Sequence, residues 1–188
     1  IIKVVLPKQL DPGKSTKIQI TYEVKVPKDK YTRYGRNPLG YKLRYWHITP
    51  AVFDVKWHLY SNLNMDDHYM HPADIDIEFS IPLGYTLNSE LEQEVLIKED
   101  LVLYKLWGKN RIDTELSIQP RNDYSIYPTS GPDIVTNLKS KYLTENIKVD
   151  VLQRQLDFIT EHLGEYPHSK LMVSQTTYQK RPVYGFNQ

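Results

Sequence analysis

The chain has 188 residues, enough to bury a sizeable core in one large domain, or in one domain and part of another. Its 24 basic residues against 23 acidic ones leave a formal charge of +1, which gives no electrostatic case for nucleic acid or an anionic membrane as partner. The absence of cysteine excludes a disulfide framework and a thiolate zinc site, and no apolar run approaches the roughly 18 residues of a membrane span.

In chain order, Val4 to Leu6 form a short strand candidate before the turn Asp11-Pro12-Gly13. Ile18, Ile20, Tyr22, Val24 and Val26 then alternate with Lys17, Gln19, Thr21, Glu23 and Lys25, which predicts a half-buried strand with one wet face. Residues 28–40 carry charge and glycine without periodicity and are expected to form a long surface loop before Tyr41 to Trp46. Val55, Trp57 and Leu59 alternate again, and Ile75, Ile77, Phe79 and Ile81 do so against Asp76, Glu78 and Ser80, giving two further strands. Residues 101–107 and 112–118 flank Gly108-Lys109-Asn110-Arg111, which predicts a hairpin connection. Short strands with turn signals and no helical period before Asn146 predict a mainly β fold, an antiparallel β-sandwich over residues 1–140.

After the Pro/Gly-bearing stretch 127–132, residues 134–138 lead towards a helix. Val149, Leu152, Leu156, Ile159 and Leu163 fall at steps of three and four and so share one helical face, which Phe158 widens. Thr144 or Asn146 is placed to cap its start, and Gly164 follows its last periodic residue. Pro167 keeps the chain from helix, and residues 170–174 predict a strand, so 141–188 read as a helix–strand α/β opening.

Two stretches carry a family resemblance. LGEYPHSKLMVSQ (163–175) resembles the fG-x-YP-x-x-KL-x-x-V segment that opens the catalytic domain of the aminopeptidase N family of zinc metallopeptidases. Upstream, YKLRYWHITPAVFD (41–54), WHLY (57–60) and ADIDIEFSIPLGY (73–85) are similar to the run of Trp, Pro, AVYD, WH and DYDV motifs in the amino-terminal, saddle-like β-domain of bacterial members. The two stretches stand in the family's order. The resemblance implies zinc as cofactor of the intact family, a peptide substrate, and the rest of the catalytic domain as this chain's neighbour. It places the Tyr45-Trp46 edge and the segment Tyr184, Gly185, Phe186, Asn187 and Gln188 beside the substrate.

At both places the family pattern is altered. A Gly-(Ala/Gly)-Met-Glu-Asn segment there binds the substrate's α-ammonium through its glutamate, whereas residues 183–188 contain no acid; Tyr45 also stands where bacterial members have a Gln before the Trp. The family holds zinc with HExxH plus a further glutamate, and none of the six histidines (47, 58, 68, 71, 162 and 168) sits in such a pattern. The chain is therefore expected to bind no zinc and to be non-catalytic by itself. It reads as a soluble piece of a longer protein, with a cell-envelope or exported location compatible.

Other clusters have blander readings beside the chemical ones. Asp66, Asp67, His68, His71, Asp74 and Asp76 offer metal-type ligands but match no defined spacing, and a solvated loop entering a strand accounts for them. Tyr31, Tyr34, Tyr41, Tyr45, Tyr60 and Tyr69 would suit carbohydrate stacking, yet tyrosine also fits strand boundaries. Asp54, His58 and Ser61 lie close in sequence without a nucleophile-elbow pattern. A non-catalytic pseudo-peptidase that binds peptide or protein, and a tyrosine-rich carbohydrate-binding β-sandwich, stand as the alternatives.

Overall fold

The computed structural model describes residues 1–30, 32–59, 69–139, 141–142 and 144–176. Among these the fold is mainly β with one helix. Two compact units arise: Ile1–Val26 with Trp46–His71, and Pro27–Tyr45 with the described residues from Pro72 onward.

In the first unit the only ladder among the described residues is β3 (Val52–Asp54) against β4 (Lys56–His58), antiparallel with Phe53 opposite Trp57. The expected strand through Val55, Trp57 and Leu59 is thus corrected to a tight hairpin that reverses at Val55, whose φ is 62°. The expected strands at 4–6 and 18–26 are corrected too. Neither segment joins a ladder, and Ile18, Ile20, Tyr22 and Val24 are all exposed. Alternation specifies a strand only where a neighbour satisfies the backbone, and among the described residues the chain supplies none here.

The second unit holds three sheets. Inside the expected 28–40 loop, β1 (Gly35–Asn37) turns back through Pro38 and Leu39 to pair with β2 (Gly40–Leu43). β2 pairs with β9 (Leu116–Gln119), which pairs with β6 (Thr86–Asn88). The second sheet places β8 (Leu101–Arg111) between β5 (Ala73–Pro82) and β7 (Glu92–Ile97), all antiparallel. The hairpin expected at residues 108–111 does not form. β8 continues through it, and the residues after it cross to the other sheet.

Burial explains that division. Val102, Tyr104 and Leu106 alternate inward on β8 and are buried, as are Leu87, Leu91, Leu116 and Ile118, and the Tyr104 hydroxyl accepts the Leu87 N–H at 3.2 Å. Leu91, Leu106 and Leu116 are essentially sealed from water.

The third sheet joins β10 (Ser125–Tyr127) antiparallel to β11 (Asp133–Thr136), and β11 parallel to β12 (Lys170–Val173). A parallel pair needs a long crossover, and α1 (Glu145–Leu163) supplies it. The 140/141 boundary expected from sequence falls within this β11–α1–β12 unit. Thr144 takes the N-cap position without a side-chain cap bond; Glu145 instead accepts from the Tyr127 hydroxyl and pairs with Lys148 at 2.7 Å. At the other end Gly164 adopts φ 94° and donates its N–H to the Thr160 carbonyl, as the helix stop requires.

Of the predicted apolar face, Leu156 is buried, packed over Gly131, while Val149, Ile159, Phe158 and Leu163 are exposed. Leu156→Ala should therefore cost about 2–5 kcal/mol, and Gln155→Ala, at an exposed position, should cost little. Urea unfolding of both variants checks this; coincident midpoints would mean that α1 does not pack through Leu156.

Candidate functional site

The end of β2 is where the predicted Tyr45 stands. Strand alternation would ordinarily send Lys42 outward, yet it and Leu43 are both buried. The Lys42 ammonium donates to the Ser174 hydroxyl at 2.6 Å and pairs with the Glu115 carboxylate at 3.3 Å. Tyr124 belongs to the same cluster through Ser117 and Ser174, and burial pushes its phenol up to about 12. The cluster ties β2, the start of β9 and the end of β12 together.

Two residues further, Arg44 pairs through Nε with Asp113 and donates through Nη1 to the Tyr34 hydroxyl at 2.8 Å. Burial by itself disfavours the guanidinium charge, but these bonds outweigh it and raise the Arg44 pKa. Its cation lies 4.6 Å from the Tyr45 ring centroid and 5.6 Å from that of Tyr34, and the two rings meet edge to face at 6.2 Å. Tyr45 itself has φ 55°, so the backbone turns sharply at that residue. Its ring is held by these contacts.

Trp46 belongs to the first unit, where its ring stands edge-on to His47 at 5.5 Å. The predicted Tyr45-Trp46 edge is therefore divided between the two units. The other predicted site residues, Tyr184, Gly185, Phe186, Asn187 and Gln188, lie outside the described residues. So do Tyr31, Tyr60, Ser61, Asp66, Asp67 and His68. Of the tyrosines considered for sugar stacking, Tyr34 is buried and Tyr41 exposed, and Tyr69 sits in the first unit between His58 and His71. Among the described residues no three His, Cys, Asp or Glu side chains converge to hold a metal ion, so zinc chemistry is assigned to none of them.

Sequence reading missed a cleft of about 380 Å³ in the second unit, lined by Glu92, residues 107–111 and residues 167–169. Glu92 binds the Ser169 hydroxyl and pairs with Lys170 at 3.1 Å; the Ser169 bond, chiefly, lowers its pKa. His168 stands edge-on to Tyr166 at 5.3 Å, and burial followed by the nearby Arg111 charge lowers its pKa. The only hint in sequence was the Gly108-Lys109-Asn110-Arg111 signal, which had two structural meanings. Compared with known proteins, the chain matches no family model, no curated protein and no solved structure.

Two predictions concern the buried charges. Lys42→Met strands the Glu115 carboxylate and should cost about 3–5 kcal/mol, whereas Lys42→Met combined with Glu115→Leu should recover most of it. Unfolding midpoints of the single and double variants decide; equal losses would assign the cost to packing instead. Glu90, next to this cluster, accepts the Glu115 backbone N–H at 3.2 Å, but burial outweighs its hydrogen bonds and raises its pKa. A raised folded pKa means that the folded state binds its proton more tightly than the unfolded state. The Glu90 contribution is then fully present below its ordinary value of 4.5 and lost as pH rises through the folded value. Glu90→Gln, which stays neutral, should be more stable than wild type at pH 7 and lose that advantage towards pH 4. A midpoint difference independent of pH would contradict it.

Proposed function

We propose that this chain is the amino-terminal portion of an aminopeptidase N-like metallopeptidase. In this reading an antiparallel β-sandwich is followed by the opening of an α/β catalytic domain, and together they support and partly line the peptide-substrate cleft. The observation that carries the reading is the pair of resembling stretches, 41–85 and 163–175, in the family's order. Residues 163–175 run from the end of α1 through a Tyr-Pro turn into β12, which is the α/β character the reading requires. The exposed Val149, Phe158 and Leu163 suit a helix that the rest of a catalytic domain covers.

When bound, zinc in such enzymes activates water against the first peptide bond. This chain contains no HExxH, so its own part is structural: it holds the Tyr45 edge and, through the segment ending at Gln188, approaches the substrate. The full-length protein should hydrolyse aminoacyl anilides, lose that activity to a chelator and regain it with zinc, while residues 1–188 alone should be inactive. A full-length protein that neither binds nor cleaves peptides would overturn the reading.

A second reading, a pseudo-peptidase that binds peptide without cleaving it, is favoured by Tyr45 in place of Gln and by the lack of an acid in residues 183–188. A carboxylate holds a free α-ammonium best, because charge-assisted hydrogen bonds are about twice as strong as neutral ones. With only amides, a phenol and backbone groups there, selection for an unblocked amino terminus should be weak. Acetylating a matched peptide should change its affinity by much less than the roughly ten- to hundredfold loss that removing a charged hydrogen bond brings. Calorimetry on the free and acetylated pair tests it, and outright loss of binding would mean that an acid elsewhere holds the ammonium.

A further inference from the structure

We propose that the cleft at the end of β8 is a binding site for a small oxyanion, a carboxylate or phosphate group, gripped by the Arg111 guanidinium. The proposal rests on the geometry of the second unit and not on the peptidase reading.

Strand alternation alone would turn Arg111 away from the core. Val102, Tyr104, Leu106 and Gly108 face inward in steps of two, which would leave position 110 inside and 111 outside. Between the pairs Ile75↔Gly108 and Ala73↔Arg111, however, Lys109 and Asn110 together oppose Asp74 alone, which is a β-bulge. Asn110 takes φ 54° there, and Asp74 Oδ1 accepts its N–H at 3.0 Å. The extra residue resets the phase, so Arg111 points inward. It is only 6% exposed and lines the cleft.

Gly108 makes room for it. A Cβ at that position would stand 2.8 Å from Arg111 Nε and 2.7 Å from Leu91 Cδ2. Nε itself has no hydrogen-bond partner, and the guanidinium charge is felt by the nearby Tyr166 phenol. Among the described residues no carboxylate lies within 4.0 Å of this cation. Glu92 acts on it only from further away, with its oxygens already engaged by Ser169 and Lys170.

A buried cation with no carboxylate in contact keeps an unmet demand for charge-assisted hydrogen bonds, which an incoming anion would satisfy. The planar fork of arginine matches a carboxylate or phosphate through two parallel hydrogen bonds. Lys109, exposed at the rim, adds a second positive charge, and His168 adds a ring nitrogen whose proton affinity is already lowered. The volume is that of a small-molecule site.

The test titrates the 188-residue chain at constant ionic strength with benzoate, inorganic phosphate and, as the neutral control, benzamide. Thermal unfolding and the NMR signals of the His168 ring are the readouts. Benzoate, phosphate or both should raise the unfolding temperature and shift the His168 signals saturably, with benzamide doing neither; which anion acts identifies the ligand class. Arg111→Met should weaken the effective anion by about ten- to hundredfold, the loss of one or more charged hydrogen bonds. Should that variant not fold, Arg111→Lys keeps the charge without the fork and should still bind several-fold more weakly, as should Lys109→Gln. Wild-type protein indifferent to both anions, or Arg111 variants with unchanged affinity, would overturn the proposal.

Discussion

The ion pair between Lys42 and Glu115 is the constraint on which the second unit depends. Two charges removed from water are tolerable only when their geometry is good and their remaining hydrogen bonds are met. Lys42 meets that condition by reaching Ser174 on one side and Glu115 on the other. Ser174 lies just past β12, and Glu115 just before β9. Satisfying one ammonium therefore fixes the β11–α1–β12 crossover against the sheet built on β2. An apolar contact would allow sliding, whereas a buried charge with two named partners does not.

The same unit is fixed at a second place by Glu92 on β7, which takes Ser169 and Lys170 at the other end of β12. β12 is thus anchored at both ends, by Ser174 to the β2–β9 sheet and by Lys170 to the β8 sheet. The Tyr-Pro turn between α1 and β12 is held accordingly, and this explains how so short a strand keeps register with β11 over four residue pairs. The cleft lies where the held turn passes the bulged end of β8. Its walls come from two elements that the anchors prevent from drifting apart.

Much of this was legible in the sequence wherever periodicity and local punctuation agreed. The steps of three and four from Val149 to Leu163, closed by Gly164, mark a helix found at Glu145–Leu163, and the alternation of Ile75 to Ile81 marks β5. The mismatches are equally instructive. Residues 18–26 alternate as cleanly as β5 but have no ladder, because alternation describes a surface and says nothing about whether a neighbour exists. Gly108-Lys109-Asn110-Arg111 carries the composition of a turn, and its positive-φ asparagine serves a bulge instead. Strands as short as β6 and β10 leave too few residues for a period to show. Lys42 escaped notice for a different reason: a lone lysine in a strand is normally outward, and its partners Glu115 and Ser174 are 73 and 132 positions away.

Lys42, Arg44 and Arg111 are basic side chains of the second unit that lie wholly or partly out of water, and their contrast is the most informative feature of the site. Lys42 has Glu115, and Arg44 has Asp113. Each pairing is completed by a hydroxyl, Ser174 for the lysine and Tyr34 for the arginine, so each cation arrives with its anion and its neutral donor or acceptor already supplied by the fold. Arg111 stands near the Tyr166 phenol, but Glu92, the carboxylate that feels its charge, is engaged by Ser169 and Lys170. The unit applies one solution to charge burial at Lys42 and Arg44 and leaves it incomplete at Arg111. The incomplete instance is the one that borders an open cleft and that depends on a bulge to point inward at all. A fold that needed only packing at that position would be served by an apolar residue of similar length, without the glycine, the bulge and the asparagine turn that bring the guanidinium in.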